Sequence, residues 1–472
     1  MTLPSVTPAK PAATAWVLAL TSMASFMVAL DALVVTTALT TIRLDLGASM
    51  EALEWTVNAY GLSFAALLLT GAALGDRFGR RRMFATGLAL FIVASAVCAL
   101  SNSVGWLIAA RALQGVGAAL VMPIAMALLS AAFPREQRAK ALGVFGSITG
   151  LALIAGPVVG GAIAHGFAWQ WIFWINLPIG LVALPLVFSR LEESHGADAE
   201  LDGPGLVLVT GAAFALVWGL MHANSAGWAS AKVAGALILG VVLTTIFVGY
   251  QRRSLAPLLP IRLFASIGFA AGNVAGFALY SSMYGVVFFL PQFLQTVQGN
   301  DPLGVGLRLL PWTATLFVFA PVGGALVNRL GERPLVVGGL LLQAIGFAWI
   351  ALRASPAMPY IEIVAPLIVA GAGVSVAMPA AQNAVVSSVT PAEIGKASGV
   401  FNMLRYFGGA FGVAVMGAAF AAAGSFATPG TFAAGFIPAI GVGAAISLIG
   451  AMAGSWLPSR DSKSTGPVSA RV

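Results

Sequence analysis

Residues 72–84 read AALGDRFGRRRMF, and residues 324–334 read GALVNRLGERP, a displacement of 252 positions. In both places a charged, glycine-punctuated turn separates two long apolar runs. Outward from that pair the echo continues. GVGAALVMP at 115–123 returns as GAGVSVAMP at 371–379, and KALGVF at 140–145 returns as KASGVF at 396–401, both 256 positions on. A near-constant offset over so long a stretch indicates two copies of one membrane-embedded unit, and internal duplication of that kind is a transporter signature.

Composition gives the solvent. Of 472 residues, 59% are hydrophobic and 8% charged, against about 25% charged in soluble proteins, so the chain is built for lipid. About fourteen apolar runs are long enough to cross roughly 30 Å of hydrocarbon. They are continuous rather than alternating, which excludes a membrane barrel, and lipid leaves a backbone no partner outside its own segment, which favours helices. The expected fold is all-α and integral to the membrane: two pseudo-symmetric six-helix bundles plus two inserted helices. The boundaries read as a first bundle over 1–190, a linker over 191–203, the inserted pair over 204–250, a loop over 251–264, a second bundle over 265–456 and a disordered tail over 457–472. The linker carries Glu192, Glu193, Asp198, Glu200 and Asp202.

Charge sets the orientation. With both termini cytoplasmic, 18 Lys and Arg residues face the cytoplasm and 4 (Arg43, Lys232, Arg308, Arg353) face outward, a strong positive-inside bias. The net charge of +8 is then a topology signal and a contact with membrane lipids, not a nucleic-acid footprint. The apolar N-terminal stretch is too long for a cleaved signal and contains Asp31, so it reads as a retained first span. The lone cysteine, Cys98, forms no intrachain disulfide and is a poor metal ligand by itself. No metal site or cofactor is expected.

Four motifs now carry a family resemblance over nearly the whole chain. The turn after span two resembles G-x-L-a-D-r-x-G-r-k through Leu74, Asp76, Arg77, Gly79, Arg80 and Arg81, with Ala72 in place of the first glycine. LIAARALQGVGAA at 107–119 resembles l-x-x-x-R-x-x-q-G-x-g-a-a. Gly156, Pro157, Gly160 and Gly161 resemble the antiporter motif G-P-x-x-G-G. DALVVTTALTTI at 31–42 resembles D-x-x-x-V-N-x-A-L-P-x-I, with Thr36 and Thr40 where Asn and Pro are usual. The chain thus resembles the major facilitator superfamily, in its fourteen-helix drug/proton antiporter branch. The resemblance implies alternating access, a part for the motif arginine in proton coupling, and a leak-preventing seal at the span-five glycines.

Physical chemistry points to the same residues. Asp31 is the sole acid well inside a predicted span; a lone carboxylate in hydrocarbon is costly and needs a cavity, a partner or a proton. Arg111 on span four lies at a compatible depth, and the two are expected to form a proton-coupling pair; a fixed ion pair without transport role is the competing reading. Arg405 is a second cation within a span, with no carboxylate in spans ten or thirteen, which favours a neutral, zwitterionic or weakly acidic substrate. With Gln114, Asn58, Gln382, Asn383 and the helical stripe Tyr280–Tyr284, Arg405 is assigned to the substrate cavity, although such polar groups also bond across helices in any bundle. Asp76, with Arg77, Gly79 and Arg80, is expected to act as a conformational latch on a helix N-terminus near residues 395–398, the second copy with Asn328 being weaker. The span-five glycines also permit close helix approach, as any tight bundle requires.

No G-x-x-x-x-G-K-[ST], H-E-x-x-H or G-x-S-x-G occurs, so ATP-driven pumping and hydrolase chemistry have no support. The expected activity is proton-coupled export of small lipophilic compounds by a monomer in a bacterial cytoplasmic membrane, with protons and the substrate as partners and no catalytic residues. A dedicated metabolite exporter or proton symporter on the same scaffold is the alternative, separated by the direction of proton flux. A non-transporting receptor would move no protons at all.

Overall fold

The computed structural model describes residues 11–196, 202–254, 257–390 and 393–459. The expected linker acids Asp198 and Glu200 and the tail from Arg460 onward lie outside the described residues. Fourteen helices of fifteen residues or more occur among the described residues: α1 Pro11–Leu46, α2 Met50–Phe78, α3 Arg80–Ala99, α4 Val104–Ala132, α5 Arg135–Gly166, α6 Asn176–Arg190, α7 Gly203–Ala226, α8 Ala231–Arg253, α9 Ile267–Thr296, α10 Thr315–Leu330, α11 Glu332–Arg353, α12 Ile361–Ser387, α13 Ile394–Ala423 and α14 Pro429–Gly454. Thirteen of them, some extended by a preceding short helical turn, are long and apolar enough to cross a membrane. The other is α5, whose 32 residues span about 48 Å at 1.5 Å per residue.

Local signals explain the breaks. Ser49, Ser103 and Ser230 cap α2, α4 and α8 by accepting backbone N–H bonds from Ala52, Trp106 and Val233, and Thr428 with Thr431 closes a capping box on α14. The two copies of the charged turn both bend at a glycine of positive φ, Gly79 at +103° and Gly331 at +82°. Such angles are free only for glycine.

The chain divides into two compact units at Thr210/Gly211, within α7. In the first unit α1 packs on α4, α5 and α6, α2 packs on α4, and α3 packs on α4 and α6. In the second unit α9 packs on α12, α13 and α14, α10 packs on α12, and α11 packs on α12 and α14. These are the same six pairings displaced by eight helices, so the repeat in the sequence is a repeat of packing. It holds down to single atoms. A Cβ on Gly117 would meet Phe91 N and Gly87 O, and one on Gly373 would meet Gln343 N and Gly339 O. Each pair of contacts is the other's counterpart at the 252- and 256-residue offsets. Small residues at such crossings let helix backbones touch, the main source of helix association where lipid removes the hydrophobic drive.

Candidate functional site

The first unit holds a polar network inside an apolar shell. Leu30, Val34, Leu107, Ala110, Ala152, Ile172 and Phe173 are buried around it. Asp31 is 2% exposed and Arg111 0%, and Arg111 Nη1 donates to Asp31 Oδ2. The other carboxylate oxygen, Oδ1, accepts from Gln114 Nε2 at 2.8 Å and from Asn176 Nδ2 at 2.9 Å. Arg111 Nη1 also donates to Gln114 Oε1 at 2.6 Å, and its Nε to the Thr56 carbonyl at 3.1 Å. The Ser95 hydroxyl accepts from Gln114 at 2.7 Å and from Asn176 at 3.3 Å. The guanidinium lies 4.3 Å from the Tyr60 ring centroid. Five helices, α1, α2, α3, α4 and α6, thus meet at one ion pair. The arrangement has spare capacity: Arg111 Nη2 and Asn176 Oδ1 are buried without a hydrogen-bond partner.

Chemically this is a buried ion pair whose carboxylate is completed by two amide donors. Taking either charge away would leave the other buried and unpaired, which costs about 3–5 kcal/mol. Gln114, assigned to the substrate cavity from sequence, sits in this network and bridges Asp31, Arg111 and Ser95.

The second unit carries Arg405, the other arginine singled out in the sequence. Arg405 on α13 faces α9, with its Cζ 4.6 Å from the Tyr280 ring centroid and Nη2 3.4 Å from the Tyr284 hydroxyl. The two tyrosines stack one turn apart at 6.2 Å. The structure therefore brings together three of the seven residues assigned to the cavity. Asn58 and Gln382 are half-buried. Asn383 is drawn elsewhere: with Ser387 it donates to Glu332 Oε1, at 3.0 and 3.1 Å, beside the second charged turn.

At the first charged turn, Asp76 Oδ1 accepts from Arg80 Nε at 2.9 Å and Nη2 at 2.8 Å, while Arg77 is exposed. The segment 191–196 docks here. Glu193 carboxylate oxygens accept from the backbone N–H of Arg81 at 2.8 Å and of Arg82 at 3.3 Å, capping α3 from 112 and 111 residues away. Arg80 N donates to the Ser194 carbonyl at 2.8 Å and Gly196 N to that of Asp76 at 3.0 Å. Gly79 has no room for a Cβ because Glu193 is 2.7 Å from that position. Asn328 lies in the last turn of α10, before the second turn.

Of the glycines of span five, Gly156 packs closely, whereas a Cβ on Gly146 or Gly150 would meet nothing within 4 Å. Gly156, Gly160 and Gly161 are buried, and a Cβ on Gly156 would stand 2.7 Å from Leu33 Cβ, two residues beyond Asp31. Pro157 lies within α5.

A family model described as Major Facilitator Superfamily matches residues 21–413. The chain belongs to the Major Facilitator Superfamily. Curated relatives of this superfamily member include a tetracenomycin C resistance and export protein of Streptomyces glaucescens, 36% identical over 88% of this chain and 77% of the relative. The multidrug resistance protein Stp of Mycobacterium tuberculosis is 33% identical over 85% and 75%. The cephamycin export protein CmcT of Amycolatopsis lactamdurans is 36% identical over 86% and 84%. The fold is similar to that of a POT family transporter solved with a thioalcohol-conjugated peptide, at a TM-score of 0.71 and 17% identity over 92% of this chain and 94% of that one.

Within this superfamily fold the two halves share packing but not chemistry. At the 256-residue offset, Leu367 stands for Arg111 and Ala370 for Gln114, so the ionic network belongs to the first copy alone. Three contributors escape a reading of the sequence. Asn176 and Ser95 are small neutral polar groups of the kind every helix bundle uses. Glu193 sits among other linker acids, and nothing local marks its distant target.

Proposed function

We propose that this superfamily member is a proton-coupled exporter of small lipophilic compounds, working by alternating access as a monomer in a bacterial cytoplasmic membrane with both termini inside. The observation that carries the reading is the sealed Asp31–Arg111 pair with its amide partners. A carboxylate this deep and this completely engaged exchanges a proton only when the helices holding it move apart, which ties protonation to a conformational step. Arg111 keeps the site charged while the bundle is packed; separation from Arg111 lets a proton neutralise Asp31, since desolvation penalises the unpaired anion. The driving force is adequate, because each charge moved is worth about 2.3 kcal/mol per 100 mV. The relatives named for antibiotic export and multidrug resistance support the direction and the drug-like substrates. The charge bias of the loops supports the orientation, and the Asp76 turn supplies the latch.

The test is a proteoliposome assay with an internal pH-sensitive dye and a panel of lipophilic compounds. Wild-type protein is expected to release internal protons when an exported compound is presented on its cytoplasmic face. Asp31→Asn cannot load a proton and leaves Arg111 without its anion, so it is expected to unfold at a lower temperature, by about 3–5 kcal/mol, and its folded fraction, reconstituted in the membrane, is expected to move no protons. Full proton exchange in that variant would make the pair a fixed strut and remove the mechanism.

A further inference from the structure

The two intramembrane arginines are treated in opposite ways. Arg111 has a carboxylate. Arg405 has none. The second unit's described carboxylates are all engaged elsewhere: Asp301 caps Gly304, Glu332 accepts from Asn383 and Ser387, Glu362 pairs with Arg353, and Glu393 pairs with Arg262. What surrounds Arg405 instead is aromatic. Its Cζ stands 4.6 Å from the Tyr280 centroid and 5.4 Å from that of Tyr406. Tyr280 meets Phe401 edge-on at 6.2 Å. The Tyr284 hydroxyl is the one protein acceptor within reach of the guanidinium among the described residues, at a long 3.4 Å. Arg405 Nε is buried with no acceptor at all. A guanidinium carries five N–H donors and no acceptor, so most of its capacity is unused.

Ring faces attract a cation through their quadrupole, but they do not accept the in-plane N–H groups, which need oxygen lone pairs. The residue is also not sealed: Arg405, Tyr284 and Tyr406 are half-buried, so one side of the cluster is open. A cation with unused planar donors, flanked by apolar ring faces and open on one side, is complementary to a flat aromatic compound bearing a carboxylate or an ionised phenol. The anion would take the guanidinium side-on, as planar forked pairs do; the buried Tyr280 ring backs the guanidinium, and the half-buried Tyr284 and Tyr406 would flank the ligand's apolar body. We propose that Arg405, Tyr280, Tyr284 and Tyr406 form an anion-recognition site that selects aromatic acids among the exported compounds, an assignment that rests on the export reading above.

The experiment uses the full chain in lipid nanodiscs and three tritiated probes of one shape: 2-naphthoate, its methyl ester and 2-naphthyltrimethylammonium. Binding is measured at equilibrium with no proton gradient. The wild type is expected to bind naphthoate more tightly than the ester and to reject the cation. Arg405→Gln is expected to weaken naphthoate roughly tenfold or more, the value of lost charge-assisted hydrogen bonds, and to leave the ester unchanged. Arg405→Lys is expected to retain part of the preference, and Tyr284→Phe, which removes one hydroxyl and is the safer fold, to lose a few-fold. Equal binding of naphthoate and ester by the wild type, or an unchanged preference in both Arg405→Gln and Tyr284→Phe, overturns the assignment. Asp31→Asn separates the two readings, because in nanodiscs its folded fraction should keep the wild type's preference for naphthoate over the ester, while in proteoliposomes it abolishes proton-linked transport. Normal anion preference with no proton-linked uptake in the wild type would sink the export reading and leave the anion site standing.

Discussion

Asn176 shows how much of a buried ion pair lies in its neutral partners. It sits in the first turn of α6 and gives both its amide hydrogens to the network, one to Asp31 and a longer one to Ser95. Asn176→Leu is expected to destabilise the protein by about 1–3 kcal/mol, the cost of leaving a buried charged acceptor short of a donor, read as a lowered unfolding temperature in detergent. Gln114→Leu should cost more, because Gln114 touches Asp31, Arg111 and Ser95 at once, and the double variant should lose less than the two singles summed, since both act on the same oxygen. The contrast with the sequence is instructive. Asp31 and Arg111 were legible there because a full charge in an apolar run demands a reason, and compatible depth paired them. Asn176 was not, because an asparagine opening a helix just ahead of a proline reads equally well as a helix-start residue.

Between elements, the charged turns become docking points. The first turn takes the carboxylate of Glu193 onto the bare N-terminus of α3, whose own cap residue, Gly79, has no side chain to offer. Glu193→Ala is expected to free the amides of Arg81 and Arg82, raising their hydrogen exchange, and to cost about 1 kcal/mol, as the loss of an N-cap does. The second unit has a comparable tether at the start of α13. Glu393 accepts from Thr390 at 2.7 Å and from Arg262 at 2.7 Å, and these bonds hold its carboxyl below the usual carboxylate range. A depressed folded value means the contribution is present above the unfolded range, near pH 4.3, and is lost as pH falls through the folded value. Amide protection of the first turn of α13 should therefore decline on acidification below about pH 4.3, and Glu393→Gln should flatten that dependence; a protection profile that ignores pH in the wild type would remove the tether. The glycine punctuation of the sequence located both charged turns, but a cap supplied from more than a hundred residues away leaves no periodic trace.

At the scale of the whole molecule, packing symmetry and chemical asymmetry separate cleanly. The crossing of Gly87 with Gly117 is reproduced by Gly339 with Gly373, down to the same backbone atoms, yet Arg111 is matched by Leu367 and Gln114 by Ala370. The duplication was visible in the sequence because glycine spacing enforces close approach and so survives divergence of everything around it; the division of chemical labour was visible only as the absence of echoes. The consequence can be measured by treating both halves alike. In Gly117→Ala the new Cβ would stand 2.7 Å from Phe91 N and 2.8 Å from Gly87 O, and in Gly373→Ala 2.5 Å from Gln343 N. Because the obstructing atoms are backbone, no rotamer relieves the clash and the helices must separate, at about 1–3 kcal/mol for overpacking. The two alanine variants are thus expected to lower the unfolding temperature by similar amounts. Substitutions at the chemical counterparts should not behave alike. Arg111→Leu, which makes the first half resemble the second, should abolish proton movement, whereas Leu367→Met, matched in volume and polarity, should leave it intact. Equal loss of coupling at both positions would mean that the proton path runs through both copies, and the assignment of coupling to the first half would fail.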